Sequence, residues 1–269
     1  MTEDNRVAEH YSQDGLFERL TRALQAAGHA LDHLAPDALA GAEEFHLGGR
    51  LATNWIIEAL ALQPEAHVLD VGCGIGGPAR TIAQATGCRV TGVDLTESFV
   101  DTANALSRLV GLAERTSFAV ANALALPFEE SSFDAVITIH VGMNIQDKDT
   151  MLTEMARVVR PGGTVLVYDV MRVGQGEIAF PVPWASEPAQ DFLAPRQTYE
   201  DAMQRCGLTV ERTTDRTAAC LDLVAKARAN PPKITLGDLM GRDWPVMFGN
   251  ALPALRDGII AVIEIVARR

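Results

Sequence analysis

The stretch from Val68 to Arg80 constrains this chain more than any other part of it. An apolar run (Val68, Leu69, Val71) passes through Gly72, Gly74, Gly76 and Gly77 into a helix-forming run, Ala79 to Ala83. That order predicts a strand, a tight loop and a helix. Glycines let the loop backbone take positive φ and let a ligand lie directly against the main chain. The helix that follows offers free N–H groups, which favour a negatively charged group. The turn is therefore expected to cradle a cofactor, and the question is which one.

The 269 residues suffice for one large α/β domain or a core with a small appended part. A hydrophobic content of 48% supports a substantial core. The net charge of −12 argues against attraction to nucleic-acid phosphates or an anionic membrane surface. No apolar stretch reaches the ~20 residues of a membrane span, and the polar start, Met1 to Arg6, leads into no secretory apolar run. Cys73, Cys88, Cys206 and Cys220 are far apart and form no CxxC pair, so neither a disulfide framework nor a metal site is expected. Cys73 is read as a small residue of the turn rather than a nucleophile. The expectation is a cytoplasmic protein, monomer or homodimer, that handles a small molecule and binds neither nucleic acid nor membrane.

Residues 6–40 carry apolar positions at helical spacing (Leu16, Phe17, Leu20, Leu24, Ala27), punctuated by Gly28 and Pro36. A loop from Glu43 to Arg50 opens a helix, Leu51 to Leu62, which Pro64 ends. Strands are then expected near 89–93, 116–120, 133–139 and 164–170, with helices at 96–110 and 148–159 between them. This alternation implies a parallel sheet with right-handed crossovers. Beyond Met171 the pattern loosens. Residues 172–195, with Phe180, Trp184 and Phe192, suggest a loop over a pocket; a helix at 197–206 and a strand at 208–212 resume the alternation. Residues 216–250 look helical but interrupted by Pro231, Pro232, Gly237, Gly241 and Pro245, and Gly258 to Ala267 reads as a last apolar strand.

Gly72, Gly74 and Gly77 satisfy the G-x-G-x-x-G dinucleotide fingerprint, and Asp94 stands where that fingerprint wants a ribose-binding acid. An NAD-dependent oxidoreductase fits this much. Asp70, just ahead of the turn, favours a different cofactor: a carboxylate there would repel a pyrophosphate and suits the ammonium of a methionyl group. Asp94 can take both ribose hydroxyls as a two-oxygen acceptor. The tail offers no second nucleotide-binding half.

With these residues the chain resembles a class I S-adenosylmethionine-dependent methyltransferase over roughly residues 46–215, and the terminal strand fits too. Asp70, Gly72, Gly74 and Gly76 match the family's glycine motif and Asp94 its ribose acid. Asn122 to Asp134 resembles the adenine-contacting stretch, with Asn122 where an Asp is usual; Arg160-Pro161-Gly162-Gly163 matches the turn into the fifth strand. The sequences from Cys73 to Arg80 and from His140 to Asp147 resemble the branch containing tocopherol C-methyltransferases and sarcosine/dimethylglycine N-methyltransferases. The resemblance implies a Rossmann-like, doubly wound, mostly parallel seven-stranded sheet with an antiparallel last strand. It implies N-terminal helices as a cap (residues 1–62) on a core (63–269). Residues 172–195 and 216–250 would then be an acceptor-site loop and a helical insertion. S-adenosylmethionine would bind Tyr11, Asp70, Gly72, Gly74, Gly76, Asp94, Leu95, Asn122, Ala123 and His140.

In such a sheet the site lies beyond the carboxyl ends of the strands, where Asp70, Asp94, Asn122 and His140 all fall. His140 and His46 are the candidate bases for an acceptor that must lose a proton. Each has a plainer reading, His140 as a wall residue and His46 as part of an interhelical turn. Met143, Asn144, Arg172 and Trp184 are the candidate acceptor contacts. Arg172 serves an acceptor carboxylate or simply the surface, and Tyr11 reaches the cofactor or simply packs; Trp244 is expected in the core. The acceptor atom, N, O or C, stays open, and a non-catalytic cofactor-binding protein remains the third reading.

Overall fold

A computed structural model describes residues 15–229 and 243–269. Its seven strands are β1 (His67–Val71), β2 (Arg89–Asp94), β3 (Thr116–Val120), β4 (Phe133–Ile139), β5 (Val159–Arg172), β6 (Thr209–Asp215) and β7 (Ile260–Arg268). They form one sheet in the order β3-β2-β1-β4-β5-β7-β6. β7 runs antiparallel to both β5 and β6, and the pairings among β1 to β5 are parallel. This is the Rossmann-like, doubly wound architecture expected from the sequence. The order reverses between β1 and β4, so a crevice opens beyond their carboxyl ends, the usual ligand position in open α/β sheets.

Alternate residues of each central strand enter opposite faces. Val68, Ile137, Leu166 and Tyr168 pack into one apolar cluster, and Leu69, Val71, Val136 and Val165 into another. Both faces are therefore covered, as near-continuous apolar strands require.

Helix α1 (Leu16–Ala26) buries Leu16, Leu20 and Leu24, one turn apart, against Phe99, Leu106 and Ile75 of the glycine turn. It ends well short of the expected residue 40, because Gly28 adopts a left-handed conformation (φ 92°) and 3₁₀ turns at Leu31–His33 and Pro36–Leu39 take over. A single helical turn, Ala40–Glu43, precedes α2 (Gly49–Leu60). The core helices are α3 (Gly77–Thr86), α4 (Glu97–Leu109), α5 (Lys148–Val158) and α6 (Arg196–Arg205). β5 begins earlier than expected, since Pro161, Gly162 and Gly163 form an irregularity within the pairing to β4 rather than its boundary. In the tail, α7 (Thr217–Ala229) and α8 (Trp244–Arg256) are separate helices. Pro245 starts α8 instead of breaking it, its missing N–H costing nothing in the first turn. No helix among the described residues is long and apolar enough to cross a membrane.

Candidate active site

A cavity of about 810 Å³ lies over the carboxyl ends of the central strands. Asp70, Gly72, Gly74, Asp94, Leu95, Asn122, Ala123, His140, His46, Met143, Asn144 and Trp184 all line it. The sheet explains this convergence: each residue at a strand's carboxyl end or in the following loop meets the same crevice. Tyr11 lies outside the described residues.

The glycine turn is stitched to the end of β2. Gly72 and Cys73 N–H groups both donate to Val93 O, at 2.7 and 3.0 Å. Gly74 N–H donates to Asp94 Oδ2 at 2.9 Å, while Thr96 N–H donates to Asp94 Oδ1 at 2.9 Å. Asp94 thus reaches the cavity with its orientation fixed from two sides. Burial raises its carboxyl above the usual range, and these N–H groups pull it back. Gly72 has φ 77°, and a Cβ there would strike the Val141 side chain, so no larger residue fits. Gly76 departs from the expectation. It does not line the cavity but caps α3 (φ 79°), and a Cβ on it would meet the Phe118 ring.

Asp70 is 1% exposed, and its Oδ2 has no hydrogen-bond partner. Burial first, then the nearby Asp94 and Glu44 carboxylates, pushes its pKa up to about 7. A buried carboxylate oxygen without a donor, facing a cavity, calls for a cation or a proton.

The turn is held from behind by a buried ion pair that the sequence did not announce. Arg80 Nη2 donates to Glu43 Oε2 at 2.6 Å and to Ile75 O at 2.6 Å, while its Nη1 donates to Ala103 O at 3.2 Å. Glu43 carries a carboxyl raised by burial and drawn back down by Arg80. One guanidinium thereby ties the glycine turn, the Ala40–Glu43 turn and α4 together. Gly77 allows the approach, since a Cβ there would collide with Glu43 O. The segment from Glu43 to Gly49, within the loop expected from Glu43 to Arg50, is a pinned wall. Glu44 accepts from Arg50 Nε and Thr53 Oγ1, both at 2.8 Å, and Leu47 O accepts from Tyr168 Oη at 2.8 Å.

Of the two imidazoles, His46 belongs to this wall and His140 faces it from the end of β4. His140 follows β4 with φ 54°, a left-handed conformation uncommon for a non-glycine residue. Its ring stacks on Tyr168 (centroids 5.6 Å apart, 13° between planes) and meets His46 edge-on at 6.0 Å. His140 Nε2 is buried without a partner. Burial, and secondarily His46, holds its pKa well below the ordinary histidine value, so the ring is neutral at neutral pH. His46 Nε2 lies 3.1 Å from Gly49 O and 3.3 Å from Thr53 Oγ1, which occupies that nitrogen in local structure.

The loop after His140 rests on a second buried network, also absent from the sequence reading. Asp169 accepts from Tyr199 Oη at 2.8 Å and, with burial as the main cause, is pushed up to about 7. Lys148 Nζ donates to Ile145 O at 2.7 Å and Phe192 O at 2.8 Å, joining the loop to the segment carrying Trp184. Met143 O accepts Phe192 N–H at 3.1 Å, and Trp184 Nε1 donates to Asp191 Oδ1 at 2.9 Å. Asn122 Oδ1 accepts Leu124 N–H at 2.8 Å.

Arg172 does not join the site. Its Nη1 donates to Gly174 O and Gly176 O, both at 3.2 Å, and it is not among the cavity-lining residues. The extension of β5 to Arg172 spends the guanidinium on the next turn. Trp244, expected in the core, instead lines the cavity with Leu223, Val224, Phe248 and Leu255. The interrupted 216–250 pattern hid these helix faces; only their apolar positions hinted at them. The Cys73 thiol is buried and pushed well up, which keeps it protonated and agrees with its reading as a turn residue.

Residues 69–167 match the family model described as a methyltransferase domain. Methyltransferase GfsG of Streptomyces halstedii is 37% identical over 123 residues, covering 46% of this chain and 44% of its own length. Ajmaline N-methyltransferase of Rauvolfia serpentina is 33% identical over 172 residues, covering 60% of this chain and 56% of its own. The chain thus spans about half the length of these curated relatives. A solved geranyl diphosphate C-methyltransferase from Streptomyces coelicolor A3(2), bound to Mg²⁺, geranyl diphosphate and S-adenosyl-L-homocysteine, superposes with a TM-score of 0.72 at 21% identity. It covers 100% of this chain and 98% of that one. Fold, glycine turn and family match agree on a methyltransferase-type domain over residues 69–167.

Proposed function

We propose that this chain transfers a methyl group from S-adenosylmethionine to a small-molecule acceptor. The observation that carries the reading is the shared cavity at the strand-order reversal. There Asp94 is fixed beside the glycine turn, and Asp70 holds out an unpartnered carboxylate oxygen. These residues fit the donor. Asp94 takes the ribose hydroxyls, Leu95 and Ala123 flank the base, and Asn122 meets its polar edge. Gly72 and Gly74 let the methionyl part lie on the main chain, and Asp70 receives its ammonium. A pyrophosphate in the same place would face the Asp70 carboxylate, which disfavours a dinucleotide.

When bound, S-adenosylmethionine supplies an electrophilic methyl group on a sulfonium. The protein's part is alignment and exclusion of water. Met143, Asn144 and Trp184 wall the acceptor side, and the Lys148 staple keeps that wall closed against the His140 loop. His140 orients the acceptor and holds its departing proton at Nε2, in the tautomer with the ring hydrogen on Nδ1. His46 supports His140 edge-on. The segment 172–195 and the described parts of the tail, α7 and α8, serve as the acceptor-side cover, with the N-terminal helices as the cap on the donor side.

Isothermal titration is expected to show binding of both S-adenosylmethionine and S-adenosylhomocysteine, and Asp94→Ala to weaken each about tenfold or more, the worth of hydrogen bonds to a charged group. Binding that ignores the substitution would sink the assignment.

A further inference from the structure

We infer that the acceptor is a neutral, hydrocarbon-rich molecule carrying little more polarity than the group it presents for methylation. This rests on the methyl-donor reading above and adds to it the chemistry of the second substrate.

The sheet order separates the two halves of the cavity. Asp94, Asn122 and Asp70 follow or sit on β2, β3 and β1, at one side of the reversal. α7 and α8 pack against β7 at the other side, beyond β5. His140 directly follows β4, which lies between, so it stands where the halves meet. The far half is contributed by α7, α8 and the Pro183–Trp184 segment. Its lining is Leu223, Val224, Trp244, Phe248, Leu255 and Trp184, with smaller apolar residues between them. Among the described lining residues of these three elements, the only charged side chain is Arg228, which is exposed near the end of α7.

Three details make this surface a receptor for apolar matter rather than ordinary core. Trp244 and Phe248 are only half-buried, yet they stack on one another (centroids 6.5 Å apart, 20° between planes), one turn apart on α8. The described residues leave this aromatic surface part-exposed inside a concave site, the usual signature of a ligand surface. Trp184 has already spent its one donor on Asp191, so it offers the cavity a ring and no hydrogen bond. Polar groups that face an acceptor gather instead at the junction, at His140 and Asn144. An ammonium carried into the far half would lose water without gaining a partner among the described residues, and a carboxylate or phosphate would meet only Arg228, exposed at the rim, so charge is disfavoured deeper in. A hydrocarbon gains by the same transfer.

The test uses the full chain loaded with S-adenosylhomocysteine, titrated while following tryptophan fluorescence. The probes are farnesol (an isoprenoid alcohol), farnesyl diphosphate and N,N-dimethylglycine. Saturable binding of farnesol, at least tenfold tighter than either charged probe, is expected. Phe248→Asp, and independently Leu223→Glu, should weaken farnesol at least tenfold while leaving S-adenosylhomocysteine affinity unchanged. Tighter binding of a charged probe, or farnesol binding indifferent to both substitutions, would overturn the inference. Should S-adenosylhomocysteine itself fail to bind, the donor reading falls, and farnesol titrated against the unliganded protein still decides the acceptor chemistry.

Discussion

Asp70→Asn separates what the donor site costs the protein from what it gains. In the folded chain the Asp70 carboxyl is pushed up to about 7, against an ordinary value of 3.8. The folded-state value lies above the unfolded one, so the stability associated with the neutral form is fully present below about pH 4. It is lost as pH rises through 7, where the folded protein must carry a charge that the unfolded chain carries easily. With about 1.36 kcal/mol per unit, that loss between pH 4 and pH 8 comes to roughly 3–4 kcal/mol. An asparagine of the same shape cannot ionise. The difference in unfolding free energy between variant and wild type should therefore move in the variant's favour by that amount across the range. Urea unfolding of the unliganded protein at a series of pH values measures it. The same substitution removes the carboxylate proposed for the methionyl ammonium, so S-adenosylmethionine should bind at least tenfold more weakly at pH 8. In the wild type that affinity should fall as pH drops below about 7, where Asp70 takes up its proton. A stability difference flat with pH would refute the burial argument, and unchanged cofactor affinity would refute the role.

Two further outcomes follow from the site's supports. His140→Asn should lower kcat by about a hundredfold or more, the usual worth of a proton-accepting side chain, with S-adenosylhomocysteine affinity within threefold of wild type; steady-state kinetics with an identified acceptor beside calorimetry reads both, and an unchanged kcat would return His140 to a wall residue. Arg80→Met should leave Glu43 buried without its partner and cost about 3–5 kcal/mol of stability, seen as a lower urea midpoint; Glu43→Gln and Arg80→Met combined should cost less than the sum of the two, and strict additivity would count against the ion pair.

The proposed donor half of the site was legible in the sequence because its signals are local. A glycine-dense turn between an apolar strand and a helix has few other uses, and acids at the ends of successive strands are brought to one edge by any parallel sheet. Asp70, Gly72, Gly74, Asp94 and Asn122 accordingly converge where the alternation of strands and helices placed them. The class of fold and the proposed class of reaction rest on the same local patterns.

What lay beyond local pattern was decided by packing between distant segments. Nothing near Arg80 in sequence foretells Glu43, 37 residues away, or that their union fixes the turn. Gly76 shares a motif with its neighbours, but only the position of Phe118 shows that it serves the helix cap rather than the cavity. Arg172 read as an acceptor contact until the length of β5 and the carbonyls of Gly174 and Gly176 claimed it. The faces of α7 and α8 that line the proposed acceptor half were masked by interrupted periodicity, since a half-buried Trp244 and Phe248 look in sequence like any core aromatics. Local sequence specifies which elements form and which chemistry stands at their ends. Burial, the loss of partners at Asp70 and His140, and the apolar acceptor wall arise only when elements far apart in the chain exclude water together.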